Sequence, residues 1–168
     1  MKLKLNKKFF PAQELVKLVA IDPGKSTGVA VATLLREREA GSAVIWDVLL
    51  STTTLYPWPD IAVASALAFD VLDSADAVIC EEWRLRQDKA TTLIGQQLTG
   101  PEVKGAVQLW CLSHRIPIHL RTASQITGTQ NHVKSKVEDW PVSDHEQDAL
   151  CHLVMWIEEN LSIKKRLS

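Results

Sequence analysis

A chain of 168 residues with 46% apolar content and a net charge of −1 has the material for one domain with a real core, and it singles out no charged partner. That composition excludes a disordered polymer, and no apolar run approaches the roughly 18 residues needed to cross a membrane. Cys80, Cys111 and Cys151 are scattered in apolar surroundings without a CxxC pair, which excludes a disulfide framework or cysteine zinc site and suggests reduced thiols in the cytoplasm.

The chain opens with MKLKLNKKFF, basic but without the long apolar stretch and cleavage site of a signal peptide; residues 1–16 are read as a basic extension of a single domain covering 1–168. KLVAID (17–22) is a continuous apolar run and predicts a buried strand. GVAVATLL (28–35) and AVIWDVLL (43–50) predict two more, the second after a charged turn containing Gly41. Residues 59–73 have helical spacing, with Ile61, Ala64, Leu67, Ala68 and Val71 on one side. ADAVICEE (75–82) predicts a short strand that ends in carboxylates. Residues 84–99 are ambiguous. Residues 100–115 predict a helix opened by Pro101, and IPIHL (116–120) a strand. The polar stretch 122–139, with Gly128, predicts a mobile segment beside the site. A final helix is expected over 143–161, with Ser143 and Glu146 spaced as a capping box. Three meandering strands followed by alternating helix and strand imply an α/β fold, a mixed sheet with helices on both faces.

The loop DPGKSTG (22–28) raises two chemistries. A phosphate-cradling loop of the form GxxxxGK[ST] needs a glycine at position 19, which is Val19, and a helix afterwards, where a β-branched strand follows instead. Phosphate binding therefore fails on spacing. What remains is Asp22, a carboxylate at the end of a buried strand, which is costly unless it caps the turn or something cationic pairs with it. Glu81 and Glu82 end the 75–82 strand on opposite faces; Glu81 alternates with Ala77 and Ile79 and is preferred. In the last helix His145 and Asp148 are i and i+3 neighbours, and Asp148 borders the apolar stripe ALCHLVMW. Asp144 reads as a complement to the helix dipole and His152 as a satisfied helix histidine. Three carboxylates with one histidine suit Mg²⁺ or Mn²⁺ over zinc, and two such ions can activate water and stabilise a leaving 3′ oxygen.

Eight basic residues, Arg84, Arg86 and Lys89 through Lys134 and Lys136, lie between positions 84 and 136 against Asp88 and Glu102, so the remainder is acidic. This asymmetry is compatible with a basic face opposite an acidic site, or with an ordinary solvated surface.

AIDPGKSTG, AVICEEW and HEQDALCHL, in that order across residues 17–160, resemble the RuvC-type Holliday junction resolvases of the RNase H-like superfamily, phage-encoded members above all. The resemblance implies a mixed five-stranded sheet, three antiparallel strands then parallel ones, flanked by helices. It implies Asp22, Glu81, His145 and Asp148 as catalytic and metal-binding residues, with two Mg²⁺ or Mn²⁺ per site, and a homodimer that nicks four-way DNA symmetrically to leave 5′-phosphate and 3′-hydroxyl ends. No membrane and no nucleotide cofactor are expected, and the setting is bacterial or host cytoplasm. Trp83 departs from the bacterial members, whose junction-probing aromatic follows one residue later; it either stacks on a base or packs in the core. Arg84, Arg86, Lys134 and Lys136 are the candidate DNA contacts. Competing readings are a broader branched-DNA or flap nuclease, another RNase H-like nuclease, a non-catalytic scaffold, and an actin-like ATPase, for which 168 residues cannot supply two domains.

Overall fold

Leu-Val-Lys-Leu-Val-Ala-Ile-Asp, the strand β2 (Leu15–Asp22), is buried on both faces from Leu18 onward, as the apolar run Leu18 to Ile21 requires of a central strand. The structure is a computed structural model that describes residues 2–6, 14–40, 43–55, 70–82 and 99–160. On one side β2 pairs antiparallel with β3 (Thr27–Ala40), which pairs antiparallel with β4 (Ala43–Leu55). On its other side it pairs parallel with β5 (Ala77–Glu81), and β5 pairs parallel with β6 (Ile118–Arg121).

These are the five strands expected, and a sixth joins them. β1 (Lys2–Asn6) adds antiparallel to β4, with Lys2 opposite Asp47 and Asn6 opposite Ala43, so the sheet order is β1-β4-β3-β2-β5-β6. Part of the basic extension therefore belongs to the sheet. Its Lys-Leu-Lys-Leu alternation has the period of a strand, and pairing there covers the backbone edge that β4 would otherwise expose. The β3–β4 hairpin also runs longer than its apolar segments, because Arg36-Glu37-Arg38-Glu39 continues in extended form through a register shift between Arg36 and Arg38.

Side-chain alternation sorts the strands into two cores. Val16, Leu18 and Ala20 of β2 join Ala77 and Ile79 of β5 beneath the long helix α3 (Asp144–Asn160). Val19 and Ile21 join Val78 and Cys80 on the other face, beneath α1 (Thr99–His114) and Leu72. Of the helix expected over 59–73, residues 70–72 are helical, Asp73 is already in a turn, and 59–69 lies outside the described residues, as does 84–98 of the ambiguous segment. No helix among the described residues is long and apolar enough to cross a membrane.

The polar segment 122–139 is not a loose loop. It contains a 3₁₀ turn (Ala123–Gln125) and the short helix α2 (Gln130–Lys134), and Ile126 and Val133 are buried in the α3 core, with Val137 and Trp140 packed against it. Apolar anchors spaced seven residues apart at 126, 133 and 140 are too sparse to register as periodicity within a polar stretch.

The N-terminus of α3 lies against the sheet at Gly28. A β-carbon on Gly28 would stand 1.9 Å from the carbonyl oxygen of His145, a distance no structure tolerates. Gly28→Ala is therefore expected to lower stability by about 2 kcal/mol or more through overpacking, read as the urea midpoint. An unchanged midpoint would mean that the helix does not approach this strand so closely.

Candidate metal centre and its acidic cluster

Asp22 and Glu81 reach the same place by counting. Asp22 keeps the alternation of Leu18 and Ala20, Glu81 that of Ala77 and Ile79, and all of these face α3. The parallel register pairs Ala20 with Ile79 and Ile21 with Cys80, so the two acids stand next in line at the ends of adjacent strands. Beyond Asp22 the turn is closed by Thr27, whose Oγ1 donates to the Gly24 carbonyl at 2.9 Å and accepts from the Gly24 N–H at 3.3 Å. That turn leads straight into β3, with no helix following it, which removes the geometry of a nucleotide phosphate loop.

Packing α3 across the same face brings its first turns onto these strand ends. His145 Nδ1 lies 2.7 Å from Asp22 Oδ2, a contact spanning 123 positions of sequence. His152, two turns further along, has Nε2 2.9 Å from Glu81 Oε2. Asp148 stands between them on the helix, with Gln130 Nε2 at 3.5 Å from its Oδ1. The helix start is tied to the sheet by Glu146, whose carboxylate accepts from Thr52 Oγ1 at 3.1 Å and Thr54 Oγ1 at 2.5 Å. The expected reciprocal cap with Ser143 is thus replaced: Glu146 braces α3 on β4, and Ser143 contributes its carbonyl to the Gln147 N–H.

Gathering acids at one end of a sheet has an electrostatic consequence. Burial pushes the Asp22 carboxyl up from 3.8 to about 6; the His145 contact pulls the other way, and the charges of Glu81 and Asp148 push it higher. Asp148 is raised as well, chiefly by burial and further by Glu81, against the Gln130 hydrogen bond and the two histidines. Asp22, Glu81 and Asp148 therefore feel one another.

All four residues named from the sequence for the catalytic set come together: Asp22, Glu81, His145 and Asp148. Glu82, next to Glu81, takes the opposite side of the strand by alternation, and Asp144 is exposed. Two contributors were missed. His152, read as a satisfied helix histidine, takes Glu81 as its partner, and its i+7 spacing from His145 and i+4 spacing from Asp148 marked it as sharing their face. Glu146 was assigned to a cap because nothing in a sequence tells which strand a helix will cross. Among the DNA-contact candidates, Lys136 is paired with Glu158, and Lys134 stands 6.0 Å from the centre of the Trp140 ring. Trp83, Arg84 and Arg86 lie outside the described residues.

The donor chemistry suits a hard divalent cation: three carboxylates, two of them driven upward in pKa by burial and by the charge of Glu81, are relieved by positive charge. The side chains as they stand are turned to separate partners, Asp22 to His145, Glu81 to His152 and Asp148 to Gln130. Among the described residues no three His, Cys, Asp or Glu side chains form a ready-made cage. Joint ligation thus calls for side-chain adjustment within the cluster, with the backbone positions already adjacent.

Neither protein-family models nor curated proteins returned a match to this chain. Solved structures did. Thermus thermophilus RuvC aligns with a TM-score of 0.56 and 17% identity over 82% of this chain and 90% of that one. T. thermophilus RuvC in complex with Holliday junction substrate aligns at 0.58 with 16% identity, over 88% of this chain and 99% of that one. The fold is that of RuvC. The RuvC-like, RNase H-like architecture expected from the three motifs is thereby borne out at an identity too low for overall sequence similarity to reveal it.

The Asp22 shift carries a stability signature. A carboxyl whose folded value is raised stabilises the fold below its unfolded pKa and loses that contribution as pH rises through about 6, a cost of roughly 3 kcal/mol in the absence of cations. With chelator present, Asp22→Asn is expected to melt near wild type below about pH 4 and higher than wild type above about pH 6, the gap opening between them. A difference that stays constant with pH would contradict burial as the cause.

Proposed function

We propose that this chain is a metal-dependent, structure-selective endodeoxyribonuclease that resolves four-way DNA junctions by symmetric nicking. The observation that carries the reading is the meeting of Asp22, Glu81, His145 and Asp148 at one end of a RuvC-like sheet, from segments far apart in the chain. The structural neighbour bound to a Holliday junction substrate supports branched DNA as the partner.

Bound divalent cations, Mg²⁺ or Mn²⁺ and two per site, would supply water activation and neutralise charge at the leaving 3′ oxygen, giving 5′-phosphate and 3′-hydroxyl ends. Asp22, Glu81 and Asp148 are the carboxylates that would hold them, with His145 as the fourth member. The chain's own residues do the rest. His145, half-exposed where Asp22 is buried, has Nδ1 on Asp22, and its imidazole is the group of the cluster suited to hold or take a proton. Glu146, through Thr52 and Thr54, keeps the helix start in place so that this geometry survives substrate binding.

Two cuts on opposite strands call for two sites, and a homodimer supplies them. We assign Trp83, Arg84 and Arg86, which come shortly after Glu81 in sequence, and Lys134 and Lys136, from the segment packed on α3, to contacts with the DNA. Lys134 is exposed and has no ion-pair partner among the described residues, so it is the readier phosphate contact, whereas Lys136 must leave Glu158. The protein's setting is the cytoplasm of a bacterium, its own or a phage's host.

Synthetic four-way, forked and linear duplexes, each with Mg²⁺ or Mn²⁺, test the reading. Wild type is expected to nick the four-way substrate symmetrically, and Asp22→Asn to lose that activity while still binding DNA. Comparable cutting of forks would move the assignment to a general branched-DNA nuclease, and cutting by Asp22→Asn would remove the acidic cluster from the chemistry. For the DNA interface, Lys134→Ala is expected to reduce the slope of log affinity against log salt by about one. An unaltered slope would take Lys134 off the phosphate backbone.

A further inference from the structure

His152 is the buried polar residue of α3, and the chemistry above does not use it. Its side chain is completely buried, and its chain neighbours Leu150, Cys151, Leu153 and Val154 are core residues. Nε2 is 2.9 Å from Oε2 of Glu81. A carboxylate oxygen accepts, so the ring hydrogen belongs on Nε2. Nδ1, also buried, has no hydrogen-bond partner among the described residues; a hydrogen on it would be an orphaned donor.

Such an arrangement is a poor way to fill a core. One ring nitrogen is unsatisfied, and an apolar side chain of similar volume would avoid the desolvation altogether. What the imidazole does accomplish is orientation. Glu81 ends a five-residue strand, and its side chain has several freely rotating bonds. The His152 N–H commits one carboxylate oxygen, and Oε1 is left without a hydrogen bond among the described residues.

A second observation belongs with it. Arg121 of β6 stands beside Glu81 in the parallel register and is the obvious cation to neutralise it. It is held elsewhere: its guanidinium forks onto Glu159 of α3, Nη1 to Oε2 at 2.6 Å and Nη2 to Oε1 at 3.1 Å. Glu159 lies seven residues beyond His152, on the same side of the helix. α3 thus supplies a neutral donor to Glu81 and removes the competing arginine.

We infer that His152 is a positioning residue: through Nε2–H it aims the Glu81 carboxylate and keeps its second oxygen open for a divalent cation. This rests on the metal-dependent reading of the cluster. Hydrogen-bonding partners behind metal-binding carboxylates are known to be worth about 10- to 100-fold in affinity.

Wild type, His152→Leu and His152→Gln decide the matter; leucine keeps apolar bulk without the donor, and the glutamine amide can replace the N–H. Calorimetric Mn²⁺ titration of DNA-free protein is expected to show affinity about 10- to 100-fold weaker for the leucine variant and near wild type for the glutamine variant. The leucine variant should melt no lower than wild type. Equal affinity in wild type and leucine variant, or a glutamine variant as weak as the leucine one, overturns the inference. The ¹⁵N–¹H spectrum of the wild-type His152 ring is a readout that needs no stable variant: protonation at Nε2, with a resonance displaced in Glu81→Ala, supports it, and protonation at Nδ1 overturns it. Failure of the parent reading looks different, because wild type itself would then take up no more Mn²⁺ than Asp22→Asn; the ring spectrum would still decide what His152 does to Glu81.

Discussion

The close approach of the α3 N-terminus to β3 at Gly28 is the constraint from which the rest of the site follows. Only a residue without a side chain lets the His145 backbone come down onto the strand. Once it does, His145 is in reach of Asp22, the carboxylate that ends β2 across from Gly28 in the register. The same seating puts Glu146 on Thr52 and Thr54 of β4, so the helix start is pinned to two strands at once. Both threonines lie on the α3 face of the hairpin, Thr54 opposite Gly28 itself. Packing, capping and site geometry are therefore a single event at one corner of the sheet.

A corner built this way concentrates negative charge where solvent cannot screen it well. Asp22 is buried, Asp148 partly so, and both carboxyls are raised by the loss of hydration and by the charge of Glu81. Stable folds seldom keep such an arrangement without use for it, because each acid weakens the others' ionisation. The histidines moderate the cost. His145 partners Asp22 at the rim, and His152 partners Glu81 from within the core. A divalent cation would do more than either, since it brings positive charge to several carboxylates together. The RuvC-like architecture accounts for how the acids are collected, by parallel strand ends under a crossing helix; the acids themselves account for what the corner can bind.

Around this corner the fold separates opposite charges with some care. Arg121, a cation adjacent to the acids in the sheet, is drawn two helical turns away by Glu159. Lys136 and His132 are collected by Glu158, which lowers that carboxyl's pKa through their hydrogen bonds and charge against the opposing effect of burial. Neither arrangement places a protein cation on Asp22, Glu81 or Asp148. The segment 122–139 serves this purpose through its buried anchors Ile126 and Val133, which hold Gln130 beside Asp148.

Much of this was legible from the chain alone, for local reasons. Continuous apolar runs identify β2 and β5 as central strands, and period-two counting already assigns Asp22 and Glu81 to definite faces of their strands. Helical spacing likewise joins His145, Asp148 and, in retrospect, His152. These follow from backbone geometry, which is the same in every protein. What counting could not reveal is which face meets which. That β1 would close the β4 edge, that Ile126 and Val133 would be buried in a polar stretch, that Glu146 would brace a strand rather than cap its own helix, and that His152 would find Glu81 all depend on pairings between distant segments. Those pairings are selected by side-chain packing over the whole core, and a one-dimensional pattern does not contain them.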